Sequence, residues 1–130
     1  MSVAMPGNAV IDREVEGLRE KGFSVARSVS VKVVSLIIES YPLPAGWSKD
    51  TTQLMLKLPV SYPNGKPDMF WTDEDLLLAN GGVPHKGDVI EEVDGKKWRR
   101  FSWHPKSWTP GRDDIHTFLT FVDRRLAQVK

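Results

Sequence analysis

The sequence predicts an α+β fold: an N-terminal helix, an antiparallel four-stranded meander sheet, an irregular crossover and a C-terminal helix. Three observations carry this expectation. Apolar residues recur at three- and four-residue spacing near both ends, β-branched residues crowd Phe23 to Ser40, and a proline-framed aromatic turn separates two further apolar runs. Terminal helices around hairpin-linked strands make a sheet with helices packed on one face. A chain of 130 residues is long enough for one real core and short for two, so residues 1–130 are expected to be a single domain, with residues 1–8 flexible.

Asn8 suits the N-cap, because its side-chain oxygen can accept from the free amides of a first helical turn. Ile11, Val15 and Leu18 then share a face, Lys21 stands near the end and Gly22 just past it, so a helix is expected over about residues 9–21. Val25, Val29, Val31, Val33, Val34, Ile37 and Ile38 give the next segment the composition of two antiparallel strands. Leu54, Leu56 and Leu58 alternate with Gln53, Met55 and Lys57, which predicts a third strand covered on one face. Asp68 to Trp71 is a short fourth. Thr72 to Asp94 has little period and contains Asn80-Gly81-Gly82, so it reads as loop with a helical turn at Asp73 to Ala79. Lys96 to His104 alternates polar residues with Trp98, Phe101 and Trp103, as an extended segment returning to the core would. Thr109 and Pro110 suit a cap and a first helical position, after which Ile115, Phe118, Leu119, Val122, Leu126 and Val129 keep one helical face apolar.

With 18 basic and 17 acidic residues the formal charge is +1, which provides no global field for nucleic acid or an acidic membrane. No apolar run reaches the about 18 residues of a membrane helix, and Met1 to Val10 lacks a signal-peptide pattern, so a soluble, cytoplasmic protein without nucleic-acid or membrane partners is expected. Cysteine is absent, which excludes disulfides, thiolate metal sites and a thioester-forming nucleophile. His85, His104 and His116 are far apart in sequence and Gly81-Gly82 lacks the lysine of a phosphate loop, so neither a metal nor a cofactor is expected. Lys96-Lys97-Trp98-Arg99-Arg100-Phe101 mixes bases with aromatics but matches no nucleic-acid motif, and reads as a strand with a solvated face. The five tryptophans are expected to be mainly core and turn anchors.

The stretch from Tyr41 to Trp71 is the most specific. Pro59, Pro63 and Pro67 lack amide donors and hold an extended loop around Tyr62 that no sheet ladder can absorb. Leu58-Pro59, Tyr62-Pro63, Pro67 and Phe70 resemble the Tyr-Pro turn of the ubiquitin-conjugating enzyme superfamily. Tyr41-Pro42-Leu43-Pro44-Ala45-Gly46-Trp47, Leu54 to Pro59 and Asp68-Met69-Phe70-Trp71 are similar to the prokaryotic ubiquitin-conjugating family E, and the similarity extends through Trp98 to Leu126. This resemblance implies a ubiquitin-conjugating-like (UBC-like) fold. It also implies a ubiquitin-like protein, an adenylating activating enzyme and a deconjugating peptidase as partners.

In that superfamily a His-Pro-Asn motif leads to a cysteine, and Trp-x-Pro opens the next helix. Here His104-Pro105 is followed by Lys106, and Trp108-Thr109-Pro110 arrives almost at once, with no cysteine between. Either the domain only binds a ubiquitin-like partner, or an oxygen nucleophile carries the cargo as an ester. Ser102 and His104 are two apart, so on an extended segment they leave from one face, about 6 to 7 Å apart at Cα. His104 would take the serine proton, and Asp113 or Asp114 is the nearest carboxylate in sequence to orient it. Ser107 is the alternative nucleophile. Tyr62 reads as a packed turn residue, and Asp113 and Asp114 also suit the positive end of a helix. A small serine hydrolase built on Ser102 and His104 is a further reading, although no nucleophile-elbow motif is present.

Overall fold

The computed structural model describes residues 8–130. Apart from Asn8, the segment expected to be flexible lies outside the described residues. Helix α1 spans Ala9–Glu20, and Asn8 Oδ1 accepts from the amides of Val10 at 3.1 Å and Ile11 at 3.3 Å, as its N-cap role requires. Lys21 closes the helix and Gly22 turns the chain at φ +99°, a left-handed conformation that glycine adopts at no steric cost. Ile11, Val15 and Leu18 form its buried stripe.

Six strands follow: β1 (Val25–Val29), β2 (Val33–Pro42), β3 (Thr51–Pro59), β4 (Phe70–Asp73), β5 (Val89–Val93) and β6 (Lys96–Phe101). They form one antiparallel sheet in the order β1-β2-β3-β4-β6-β5. The architecture is the expected α+β one, with a sheet of six strands rather than four. The added strand pair is a hairpin whose two turn residues, Asp94 at φ +52° and Gly95 at φ +81°, both have positive φ, as a two-residue hairpin turn matched to strand twist demands. Asp94-Gly95 was the available signal. Glu91 and Glu92 interrupt the apolar content that would have marked β5.

No helix forms at Asp73 to Ala79, where a lone turn closes with Leu76 N donating to Asp73 O at 3.2 Å. Asp73 ends β4, and the segment takes its hydrogen bonds from the loop after β2: Ser48 N donates to Leu77 O at 2.8 Å and Ala79 N to Gly46 O at 2.8 Å. Tertiary partners there replace the intrahelical ones.

Helix α2 covers Ile115–Ala127, and its N-cap is Asp114 rather than Thr109. Thr109 O accepts from Arg112 N and Asp113 N in a separate turn, and Gly111 at φ +84° breaks any continuation into a helix. Asp114 then makes a capping box with Thr117. Val129 lies beyond the end of the helix.

Both helices pack on one face of the sheet, where Leu36, Leu54, Leu56, Phe70 and Phe101 meet Ile11, Leu18, Phe118 and Val122. Each such side chain contributes about 1.5–3 kcal/mol on burial. The opposite face is also covered. Met55, Trp71 and Trp98 are buried there beneath Ile37, Met69 and Val93, so β3 is sealed on both sides rather than one. Trp71 Nε1 donates to Glu91 Oε1 at 2.7 Å, while the ammonium groups of Lys57 and Lys96 lie over Trp71 and Trp98 at 4.5 and 4.1 Å. In the basic-aromatic run on β6, Trp98, Arg99 and Phe101 are thus buried while Lys96 and Lys97 remain exposed, a strand with one solvated end.

Candidate functional site

The Tyr62 corner is the frame of the site. Tyr62 is buried, its peptide bond to Pro63 is cis, and its hydroxyl donates to Glu14 Oε1 at 2.6 Å. The same Glu14 oxygen accepts from Ile115 N at 2.9 Å, so one carboxylate joins α1, the corner and the start of α2. Asn8 Nδ2 donates to Tyr62 O, and Trp108 Nε1 donates to Pro63 O at 2.8 Å. Burial, reinforced by the hydrogen bond to Glu14, pushes the Tyr62 hydroxyl far above its ordinary range, which suits an anchor and not an acid or base.

Between this corner and β6 runs Ser102 to Trp108. At one end Phe101 stacks on Phe70 with centroids 4.8 Å apart, and Ser102 N donates to Lys86 O at 2.9 Å. Trp103 leans on Arg125, whose guanidinium lies 5.1 Å from that ring and 5.2 Å from Phe101. Arg125 is fully buried and donates to the carbonyls of His85, Gln128 and Lys130, and burial lowers its pKa. At the other end Trp108 packs on Tyr62 at 5.9 Å. The segment is thus hung between two aromatic anchors, and with α2 it bounds a groove of about 830 Å³.

Ser102, His104 and Ser107 all line that groove; Ser102 is half-buried, and His104 and Ser107 are exposed. His104 Nδ1 lies 2.7 Å from Asp68 Oδ1, at the end of the loop that precedes β4. With the proton on Nδ1 donated to Asp68, Nε2 keeps a lone pair able to accept a proton. Among the described residues no hydrogen bond joins either serine to His104.

Asp113 and Asp114 do not meet His104. Asp113 Oδ2 accepts from Thr109 N at 2.7 Å, and Asp114 Oδ1 accepts from Thr117 N at 2.9 Å, so both fasten the entrance to α2. The expectation that one of them orients the histidine is replaced by Asp68. That residue stands 36 positions away across β4 and the hairpin, and only the fold brings it near. Arg125 was likewise hidden, in an Arg124-Arg125 pair that reads as a solvated helix end.

The sequence model of prokaryotic E2 family E matches residues 10–129, nearly the whole chain. The chain belongs to prokaryotic E2 family E. It has a ubiquitin-conjugating-like role in a bacterial pathway, and family E2 proteins of this kind engage in general a ubiquitin-like protein and an activating enzyme. Neither a curated protein nor a solved structure gives a match. This family E chain has no cysteine within its 130 residues, so any acyl group it holds is not a thioester. Among the described residues no helix is long and apolar enough to cross a membrane, and no cluster of three or more His, Asp or Glu side chains is arranged for a metal.

Proposed function

We propose that this family E protein accepts the C-terminus of a ubiquitin-like protein from an activating enzyme as an oxyester on Ser102, with Ser107 the alternative acceptor. The observation that carries the reading is the His104–Asp68 pair, 2.7 Å apart, on the groove both serines line. As the serine oxygen attacks the activated carbonyl, its proton passes to His104 Nε2 and the bond to the activating enzyme's leaving group breaks. Asp68 holds the ring and stabilises the imidazolium. A positioned general base of this kind is worth about 10²–10⁴-fold. In the second step an acceptor nucleophile displaces the serine oxygen, which recovers a proton from His104.

An oxyester is a poorer acyl donor to amines than a thioester, so hydroxyl acceptors fit this chemistry as well as lysines. The test is incubation with ATP and the ubiquitin-like protein and adenylating enzyme encoded nearest to it. A hydroxylamine-labile adduct that disappears in Ser102→Ala, or in Ser107→Ala, supports the reading and selects the serine. Absence of an adduct on any residue defeats it.

A second reading, a cysteine-less module that only positions a ubiquitin-like partner, is favoured by the lack, among the described residues, of a hydrogen bond from Ser102 or Ser107 to His104. It expects complex formation without an adduct. The hydrolase reading gains nothing, because Ser102 follows a strand into a loop and not onto the strand-to-helix turn such enzymes use.

A further inference from the structure

The groove is basic in a protein that is nearly neutral. Lys86, Lys106 and Arg124 line it, all exposed, and none joins a salt bridge or side-chain hydrogen bond among the described residues. Three cations against the single carboxylate of Asp113 give the wall a formal charge of +2, more than the +1 of the whole chain. Asp113 is moreover committed to Thr109 N. Outside the groove some cations are paired, Lys49 with Asp73 and Asp75, Arg27 with Asp12, Arg100 with Glu91, and Arg99 with the carbonyls of Gly87 and Glu74, and others, among them Arg13, Lys32, Lys66 and Lys97, have no such partner among the described residues; what sets the groove apart is that three cations line one wall.

Lys86 adds an independent observation. It has φ +65°, inside the turn closed by Gly87 N donating to Pro84 O at 3.0 Å. Glycine adopts that conformation freely, whereas a lysine there costs conformational energy. The strain places an ammonium at the rim of the groove, on the residue whose carbonyl holds Ser102.

We infer that the groove selects an acidic peptide tail, an extended polypeptide end carrying Asp or Glu just ahead of its terminal residues. Lys86, Lys106 and Arg124 would receive those carboxylates in charge-assisted hydrogen bonds, and a basic tail would be repelled. The inference takes the tail's origin, a ubiquitin-like protein, from the function proposed above. Nucleic acid fits less well, because the aromatic rings are already paired: Trp103 with Arg125 and His85, Trp108 with Tyr62, and Phe118 with Phe121 at 5.3 Å. Single-stranded nucleic acid needs free ring faces to stack on.

Fluorescence anisotropy with the full chain tests this. The probes are two labelled peptides of equal length ending in free Gly-Gly, one with Asp and Glu in the preceding positions and one with Lys and Arg, together with a labelled single-stranded oligouridine. The acidic peptide is expected to bind at least about tenfold more tightly than the basic one, with affinity falling as salt rises. Lys86→Gly combined with Arg124→Gln removes two of the three cations and is expected to weaken it by about tenfold or more. Lys86→Gly relieves the backbone, so an unchanged or higher melting temperature separates lost binding from lost folding. Equal or tighter binding of the basic peptide, no loss in the double variant, or preferred binding of oligouridine overturns the inference. None of the probes carries an activated acyl group, so failure of oxyester formation leaves this result standing on its own.

Discussion

The Tyr62 corner and the Ser102–Ser107 segment are adjacent loops that share Trp108, yet they are held in opposite ways. Around Tyr62 the buried ring, the hydroxyl, and the carbonyls of Tyr62 and Pro63 all have partners, drawn from α1 and from the segment before α2. Across Ser102–Ser107 the Trp103 ring leans on Arg125, but the polar fastenings are few, the backbone hydrogen bonds of Ser102 N to Lys86 O and Trp103 N to Phe101 O and the exposed contact of His104 with Asp68, and the serine hydroxyls are uncommitted. Rigidity is concentrated in the frame and leaves polar side chains available beside a groove. Substitutions in the two loops should therefore separate into those that alter folding and those that alter transfer.

The largest effect is expected at His104. If it is the proton carrier, His104→Ala lowers the rate of adduct formation by about 10²–10⁴-fold in single-turnover assays. The ring is more than half exposed, so urea unfolding should move by no more than about 0.5 kcal/mol. A large stability loss with unchanged transfer would erase the contrast between the loops.

Trp108→Ala comes next, on the stability side. It removes the ring packed on Tyr62 and leaves Pro63 O without its donor, so a loss of about 3 kcal/mol is expected in urea unfolding. Glu14→Ala strips the shared acceptor from Tyr62 and from Ile115 N and should cost about 2 kcal/mol or more by the same measurement.

Alkaline pH probes the corner from another direction. Burial and Glu14 raise the folded Tyr62 hydroxyl well above its ordinary value of 10.0, and Tyr41, buried against Asp123, is raised too. Above about pH 10 the unfolded chain loses these protons while the folded chain keeps them, so stability is fully present below that pH and falls as pH rises through it. Tyr62→Phe should flatten this decline between pH 9 and 11 relative to the parent, as read from urea midpoints. An identical slope in both proteins would mean that Tyr62 ionises as freely folded as unfolded.

What could be read in advance divides along the same line. The ends of α1 were legible because Asn8 and Gly22 satisfy local backbone geometry, and the face of α2 because its apolar period is unbroken. Asp94-Gly95 carried a local signal for the hairpin, masked by the charges of β5. Thr109-Pro110 carries a helix-start motif yet forms a separate turn, because a cap motif says nothing about whether Gly111 will break the next turn. For His104 the carboxylate partner depended on tertiary structure alone: Asp113 and Asp114 are nearer in sequence, but the amides of Thr109 and Thr117 claim them.

Asp68→Asn should have the smallest effect and the sharpest meaning. The pair it breaks is solvent-exposed on both sides, and such pairs contribute about 0–1 kcal/mol, so the unfolding midpoint should barely move. If Asp68 positions His104, adduct formation should fall by about tenfold in single-turnover assays, and Asp68→Glu should restore part of the rate. A purely structural pair predicts the reverse: a small loss of stability, an unchanged rate of adduct formation, and no distinction between asparagine and glutamate. Rescue by glutamate is decisive because it returns a carboxylate to face the His104 ring, which matters to transfer only if that pairing positions the histidine.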